Sequence, residues 1–267
     1  MKRDVSAHLD VAVLSPATLE LQIAVARQPG LDLTESMVLT LDGQTIVPRE
    51  VNGPHGSRIH VFDSGAGNLQ VDYRATTLGT ALPQDASDYD HTLYLRPSRF
   101  AESDRLLGFA ASEFGSGTND PDMPARISSW VGRRIRYVAG SSTPVDGAVE
   151  TLLSGTGVCR DYSHLVVALV RAIGIPARVA SVYAPGCFPM DFHSVTEAWV
   201  NETWQALDPT MLAPRSTLVR IATGRDASDI AFLSHRGGDI NLNAVWVSAT
   251  VDGPLPIDDI EQSATIN

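Results

Sequence analysis

The sequence predicts a fold in which strands and helices are segregated along the chain, and three observations carry that prediction. The N-terminal third alternates apolar and polar positions between Gly, Pro and Asp turns, as in Leu19-Glu-Leu-Gln-Ile-Ala-Val-Ala-Arg27, which is the period of half-buried strands. The middle third repeats apolar residues at helical spacing, most regularly at Tyr162, Leu165, Val166, Leu169, Val170 and Ile173. Beyond Pro176 the period returns to two, in residues 178–183 and 192–200.

Taken in order, residues 37–41 and 45–47 flank Asp42-Gly43, a strong tight-turn pair. Residues 58–62 and 69–75 repeat the scheme across Gly65-Ala-Gly-Asn68. Short strands at this spacing predict an N-terminal β-sandwich over residues 1–92. His55 and His60 flank a Gly-rich turn without a cysteine or acidic cluster to complete a metal site, and solvent-facing positions are expected for both. Polar, Asp-rich residues 78–92, with Pro83, mark the connection to a second domain over 93–255, followed by a C-terminal tail at 256–267. The helical region is expected from Pro97-Ser98. Leu106, Leu107, Ala110 and Phe114 share a face that ends in the turn at 115–121, and residues 125–138 show the same spacing. Residues 147–153 form a short helix leading to Gly155. After the long helix come strands at 178–183, 192–200, 204–209, 219–221 and 243–251, with a turn at Asn201-Glu202.

Composition narrows the function classes. Hydrophobic residues at 43% and charged residues at 19% are those of an ordinary globular protein. A net charge of −11 argues against a nucleic-acid or anionic-membrane surface; the basic cluster Arg133, Arg134 and Arg136 reads as a solvated helix edge. No signal-peptide h-region opens the chain and no run of eighteen apolar residues interrupts it. Two cysteines, Cys159 and Cys187, fit a reducing compartment, so a cytoplasmic location is expected. Asn201-Glu-Thr203 matches a glycosylation acceptor and reads more simply as a turn.

Chemistry concentrates at the start of the long helix. Gly155 and Gly157 break the chain just before Cys159, while Gly174 and Pro176 stop the helix at its other end. Unpaired amides and the helix dipole favour negative charge at the first turn, which biases a thiol there toward thiolate. A buried cysteine acting as a small hydrophobe is the competing explanation. What lies downstream decides between them. A hairpin at Asn201-Glu202 folds the strand ending at Asp208 back along the strand that begins near His193, bringing carboxylate and imidazole within reach. Thiol, imidazole and acid are the parts of a cysteine nucleophile system. Asp161 is expected to cap the helix, His164 to pack or face solvent, and Cys187 to be a bystander. Glu197 shares the His193 face and is expected to support the site or a nearby arginine.

These residues resemble the bacterial transglutaminase-like family. The likeness lies in Gly157-Val-Cys159-Arg-Asp161, Arg171-Ala-Ile-Gly-Ile-Pro-Ala-Arg178, Phe192-His193 with Glu197-Ala-Trp199, and Trp204 with Leu207-Asp208-Pro-Thr210. It covers roughly residues 96–224 and extends more weakly to members with an N-terminal β-rich domain. The resemblance implies an α+β, papain-like core in which the Cys159 helix packs on an antiparallel sheet. It also implies a Cys159–His193–Asp208 triad performing thiol-based acyl chemistry. Hydrolysis of a peptide or protein amide is the expected reaction, because it needs no site for a second substrate. Transfer to an amine, and a binding module on an idle fold, are the alternatives. Trp199 and Trp204 are candidates for walls of the acyl channel, with core positions as the competing expectation. No calcium-site pattern is present, so neither metal nor cofactor is expected; the oligomeric state is left open.

Overall fold

The computed structural model describes residues 1–115, 120–260 and 262–266. The part of the expected 115–121 turn at 116–119, and positions 261 and 267 of the expected tail, lie outside them. In chain order the elements are β1 (Lys2–Val13), β2 (Ala17–Leu21), β3 (Leu31–Leu41), β4 (Gln44–Ile46), β5 (Arg49–Asn52), β6 (Arg58–Ser64), β7 (Gly67–Gly79), α1 (Asp88–Leu93), α2 (Leu107–Phe114), α3 (Met123–Arg134), β8 (Arg136–Tyr137), α4 (Ala148–Ser154), β9 (Thr156–Gly157), α5 (Cys159–Ala172), β10 (Ala177–Tyr183), β11 (His193–Val200), β12 (Thr203–Leu207), β13 (Val219–Gly224), α6 (Ala227–Ile230), β14 (Leu233–Gly237) and β15 (Ile240–Val251).

Alternation in the N-terminal third builds two antiparallel sheets, ordered β15-β1-β7-β3-β4 and β14-β2-β6-β5. In β1, Val5, Ala7, Leu9, Val11 and Val13 are buried while the residues between them are more exposed. Leu19, Leu21, Phe62, Leu69 and Val71 join them in one apolar cluster. Such burial stabilises by about 25 cal/mol per Å² of apolar surface removed from water. Asp42 and Gly43 take φ of 48° and 80°, and β3 pairs with β4 across them with Leu41 opposite Gln44. That is the left-handed geometry a two-residue hairpin loop requires.

Two strands of these sheets arrive from the far end of the chain. β14 pairs with β2, and β15 pairs with β1 from Ile240 to Val251. This corrects the expected 93–255 boundary: residues 233–251 complete the sheets begun by residues 1–79. A strand's period reveals which face is buried and says nothing of which strand lies beside it. The expected polar connection also holds a helix, α1. The Ser87 hydroxyl accepts from the Asp90 N–H, and the Asp90 carboxylate accepts from the Ser87 N–H, forming a capping box. His55 is not solvent-facing, since its Nε2 lies 3.0 Å from Asp90 Oδ1 in a largely buried contact. His60 is also buried, with Nε2 3.5 Å from Glu50 Oε2. Asp90 lies 35 residues from His55 in sequence, whereas Glu50 is the residue paired with His60 across the β5–β6 ladder.

A third sheet, ordered β12-β11-β10-β13, carries the α5 helix against β11 and β10, and β8 and β9 form a separate two-stranded parallel pair. α5 is buried from Asp161 to Arg171, and α3 and α4 pack against it. Every residue of β10 is buried because the strand is covered on both faces. Beyond the sheet, the segment after β2 bonds to it: Ala26 N–H donates to Arg220 C=O at 2.8 Å, and Tyr183 O–H donates to Ile23 C=O at 2.8 Å. Buried Glu197 on β11 is held between Arg178 at 2.8 Å and both terminal nitrogens of Arg220 at 2.6 Å. Burial alone would raise that carboxyl; the two guanidiniums override it and hold it down to about 2. Glu197 thus supports arginines, one of its two expected roles.

Candidate active site

Cys159 is the first residue of α5. Val158 precedes it in extended conformation, and its N–H donates to Asp161 Oδ2 at 2.8 Å, so Asp161 is the helix-capping acid expected from its position. Tyr162, one turn on, anchors the helix start by donating its hydroxyl to Ile135 C=O at 2.5 Å. Gly174, with φ of 88°, closes the other end as its N–H donates to Arg171 C=O at 2.9 Å. The Cys159 residue is half-buried, with its thiol turned inward toward His193 and Ser194.

The β11–β12 hairpin turns at Asn201 and Glu202, with φ of 50° and 59°. Its register pairs Thr196 with Leu207, so the next position places Asp208 level with Val195. Residues two apart on a strand share a face. Asp208 therefore meets His193 on the diagonal, and Asp208 Oδ2 lies 2.8 Å from His193 Nε2 with both side chains buried. An ionised carboxylate can only accept, so Nε2 carries the proton and Nδ1 is left for the sulfur. Thr210 fixes the acid in turn, donating to Asp208 Oδ1 from its N–H at 3.0 Å and from its hydroxyl at 2.6 Å.

The electrostatics follow from this placement. Burial would raise the Cys159 thiol, but hydrogen bonding and charge from His193, with backbone and side-chain contacts from Ser194, bring it below the ordinary thiol value. Burial would lower His193; the Asp208 charge and hydrogen bond, then Cys159, hold it well above the ordinary imidazole value. The pair therefore favours thiolate and imidazolium. Tyr137 of β8 stands beside them with its phenol oxygen facing the Cys159 amide N–H. Burial and the neighbouring Cys159 sulfur raise its pKa, so the hydroxyl keeps its proton. Cys187 is buried nearby, its thiol donating to Pro189 C=O at 3.5 Å. Burial raises its pKa, despite an opposing pull from His193.

Cys159, His193 and Asp208 are thus brought together as their order in the chain suggested. Trp199 and Trp204 are not part of the group. They face each other across the far end of the hairpin at 5.3 Å, six residues from His193, roughly 20 Å along an extended strand. Trp204 is buried under Arg178, 4.0 Å from guanidinium carbon to ring centroid. The period that put Trp199 on the His193 face carried no measure of distance along the strand. His164 is a packing residue, stacked on Phe100 at 5.4 Å and accepting from the Ala227 N–H at 3.1 Å. Sequence reasoning missed four residues. Tyr137 arrives through the parallel β8–β9 pairing, which no local pattern announces. Ser194 and Thr210 adjoin residues already singled out. Gly132 of α3 lies where an added Cβ would sit 2.8 Å from Pro209 O, so the helix presses directly on the acid's own turn. Among the described residues, no group of three or more His, Cys, Asp or Glu side chains is placed to hold a metal ion, and no helix is long and apolar enough to cross a membrane.

Comparison with known proteins agrees with this geometry. Residues 109–209 match the transglutaminase-like superfamily, a span that contains all three residues. A crystal structure from Cytophaga hutchinsonii, titled a "putative cysteine protease", superposes with a TM-score of 0.87 at 29% identity, covering 97% of this chain and 94% of that one. An uncharacterized protein of Mycobacterium tuberculosis is 29% identical over 173 residues, 51% of this chain and 55% of that protein. Another, from Mycobacterium leprae, is 26% identical over 111 residues, 38% of this chain and 39% of that protein. The chain thus matches about half the length of the first of these curated relatives, or less. Residues 109–209 thus match a transglutaminase-like domain that encloses the thiol, imidazole and carboxylate, and the chain is similar to a solved neighbour over nearly the whole length of both.

Proposed function

We propose that the chain hydrolyses a peptide or protein amide bond through a thioester on Cys159, with His193 as general acid and base and Asp208 orienting the imidazole. The observation that carries this is an imidazole whose Nε2 is committed to a buried carboxylate at 2.8 Å while the thiol takes its other side. In the first step the thiolate adds to the carbonyl carbon. The C–N bond then breaks, and the leaving amine takes the proton from His193 Nδ1. In the second, water adds to the thioester, gives a proton to Nδ1, and the C–S bond breaks to restore the thiolate. Negative charge on the carbonyl oxygen calls for donors already in place. The Cys159 N–H and the protonated Tyr137 hydroxyl supply them in this reading.

Hydrolysis is preferred over transfer because it needs no site for a second, amine substrate. The test is product analysis of an amide substrate with and without a primary amine. Free acid as the main product in both supports hydrolysis. Quantitative capture by millimolar amine would convert the reading to acyl transfer, and absence of either product would return the chain to a binding role.

A further inference from the structure

We propose that Phe188, Tyr137 and Val138 form the substrate-selecting rim of this site, and that the acyl group it accepts carries an apolar side chain next to the scissile carbonyl. The inference rests on the thioester reading above and extends it to the class of substrate.

Two segments lie near the sulfur and near each other, since Tyr137 is within electrostatic reach of both Cys159 and Cys187. The Tyr137 phenol faces the Cys159 amide, and the Val138 N–H donates to Gly157 C=O at 3.0 Å, two residues before the nucleophile. Cys187 is buried within electrostatic reach of Cys159, His193 and Asp208. Phe188 follows it directly and stands outward. Phe188 is 89% exposed, Tyr137 45% and Val138 40%. Single exposed apolar residues need no explanation; three gathered at one nucleophile mark a ligand surface.

The loop holds Phe188 in the open. The Cys187 N–H donates to Ala184 C=O at 3.1 Å. Gly186, with φ of 99°, is packed so closely that an added Cβ would meet Leu255 Cδ1 at 2.9 Å. The turn that precedes Phe188 is therefore held at Gly186 and Cys187. Charge at the same mouth points the same way. Asp191 is exposed near His193, its Oδ1 accepting from the Phe192 N–H at 2.7 Å. A carboxylate there repels acidic substrates and leaves an apolar side chain as the complement of the rim.

Peptidyl chloromethyl ketones test this without requiring turnover, since the thiolate displaces chloride and forms a C–S bond. Probes bearing Leu, Ser or Glu next to the ketone are compared by labelling rate at Cys159, each divided by the iodoacetamide rate of the same variant. The rim predicts Leu over Glu by about tenfold or more, the scale of a hydrophobic contact, and Phe188→Ser lowers that ratio several-fold. Equal rates across the probes, or a Leu-to-Glu ratio unchanged by Phe188→Ser, overturn the proposal while normal iodoacetamide labelling leaves the nucleophile intact. Loss of iodoacetamide labelling at neutral pH in the folded wild type would overturn both.

Discussion

Replacing Asp208 with Asn removes the charge that steers His193 while keeping the side chain's size. A buried hydrogen bond to a charged group contributes about 1.5–3 kcal/mol, and one pKa unit corresponds to about 1.4 kcal/mol. Losing the 2.8 Å contact therefore lowers the His193 pKa by about one to two units. The sign of the consequence at sulfur is fixed: a less basic imidazole supports less thiolate, so the Cys159 pKa rises. Well below that pKa the thiolate fraction falls by about 10- to 100-fold. The two groups titrate as a coupled pair, so the readout is the displacement of the whole profile rather than a single assigned value. The assay is the rate of Cys159 alkylation by iodoacetamide from pH 4 to 9, followed by peptide mass spectrometry, with a thermal melt to show that the variant is folded. Wild type stays reactive below the range of an ordinary thiol, and Asp208→Asn moves the profile upward. Turnover falls by about 10²–10⁴. Superimposable profiles from two folded proteins would refute the argument that the acid acts on sulfur through the imidazole.

Tyr137→Phe removes one oxyanion donor and lowers kcat by about 10²–10³, with little effect on the alkylation profile. An equal loss in alkylation would assign Tyr137 to the thiolate instead. Gly132→Ala forces a methyl group toward Pro209 O at 2.8 Å, so kcat falls more than thermal stability does; unchanged kinetics would show that the Asp208 turn yields freely. Glu197→Gln leaves Arg178 and Arg220 without their counter-charge and destabilises by about 3–5 kcal/mol in urea unfolding. A loss below about 1 kcal/mol would place that network in an environment far wetter than its burial indicates. His164, lowered by burial to about 4, stays neutral in the fold while the unfolded chain protonates near 6.5. Stability is therefore complete above about pH 6.5 and declines by about 3 kcal/mol as pH falls through 4, a slope that His164→Gln flattens.

What could be read from sequence was what local chemistry decides. The long helix shows in its apolar spacing, its glycine stop and the acid that caps it. The acid's place beside His193 followed from a two-residue turn, because hairpin register propagates strand to strand by simple counting. Relations between distant segments were not legible. β15 carries the same alternation whether it ends the catalytic sheet or joins β1, and only the packed structure selects β1. His55 reads as solvent-facing because Asp90 reaches it through the fold, and His60 because its Glu50 partner is set by the register of a strand pair that the local pattern does not show. Tyr137 lay unnoticed because β8 and β9 bring it to the thiol through a parallel pairing of two residues each. Of the two expectations for Trp204, the buried ring under Arg178 fits the core position, and strand geometry sets both indoles at the far end of the hairpin from His193.

The central claim is that Cys159 is the nucleophile and forms an acyl-enzyme. Its most direct measurement is intact mass and peptide mapping of the folded protein, acid-quenched within seconds of mixing with an activated ester. The account predicts one acyl group per chain on the peptide containing Cys159, none on the peptide containing Cys187, and loss of the adduct on longer incubation in water. An unmodified Cys159, or an adduct on Cys187 that survives Cys159→Ser, would contradict it.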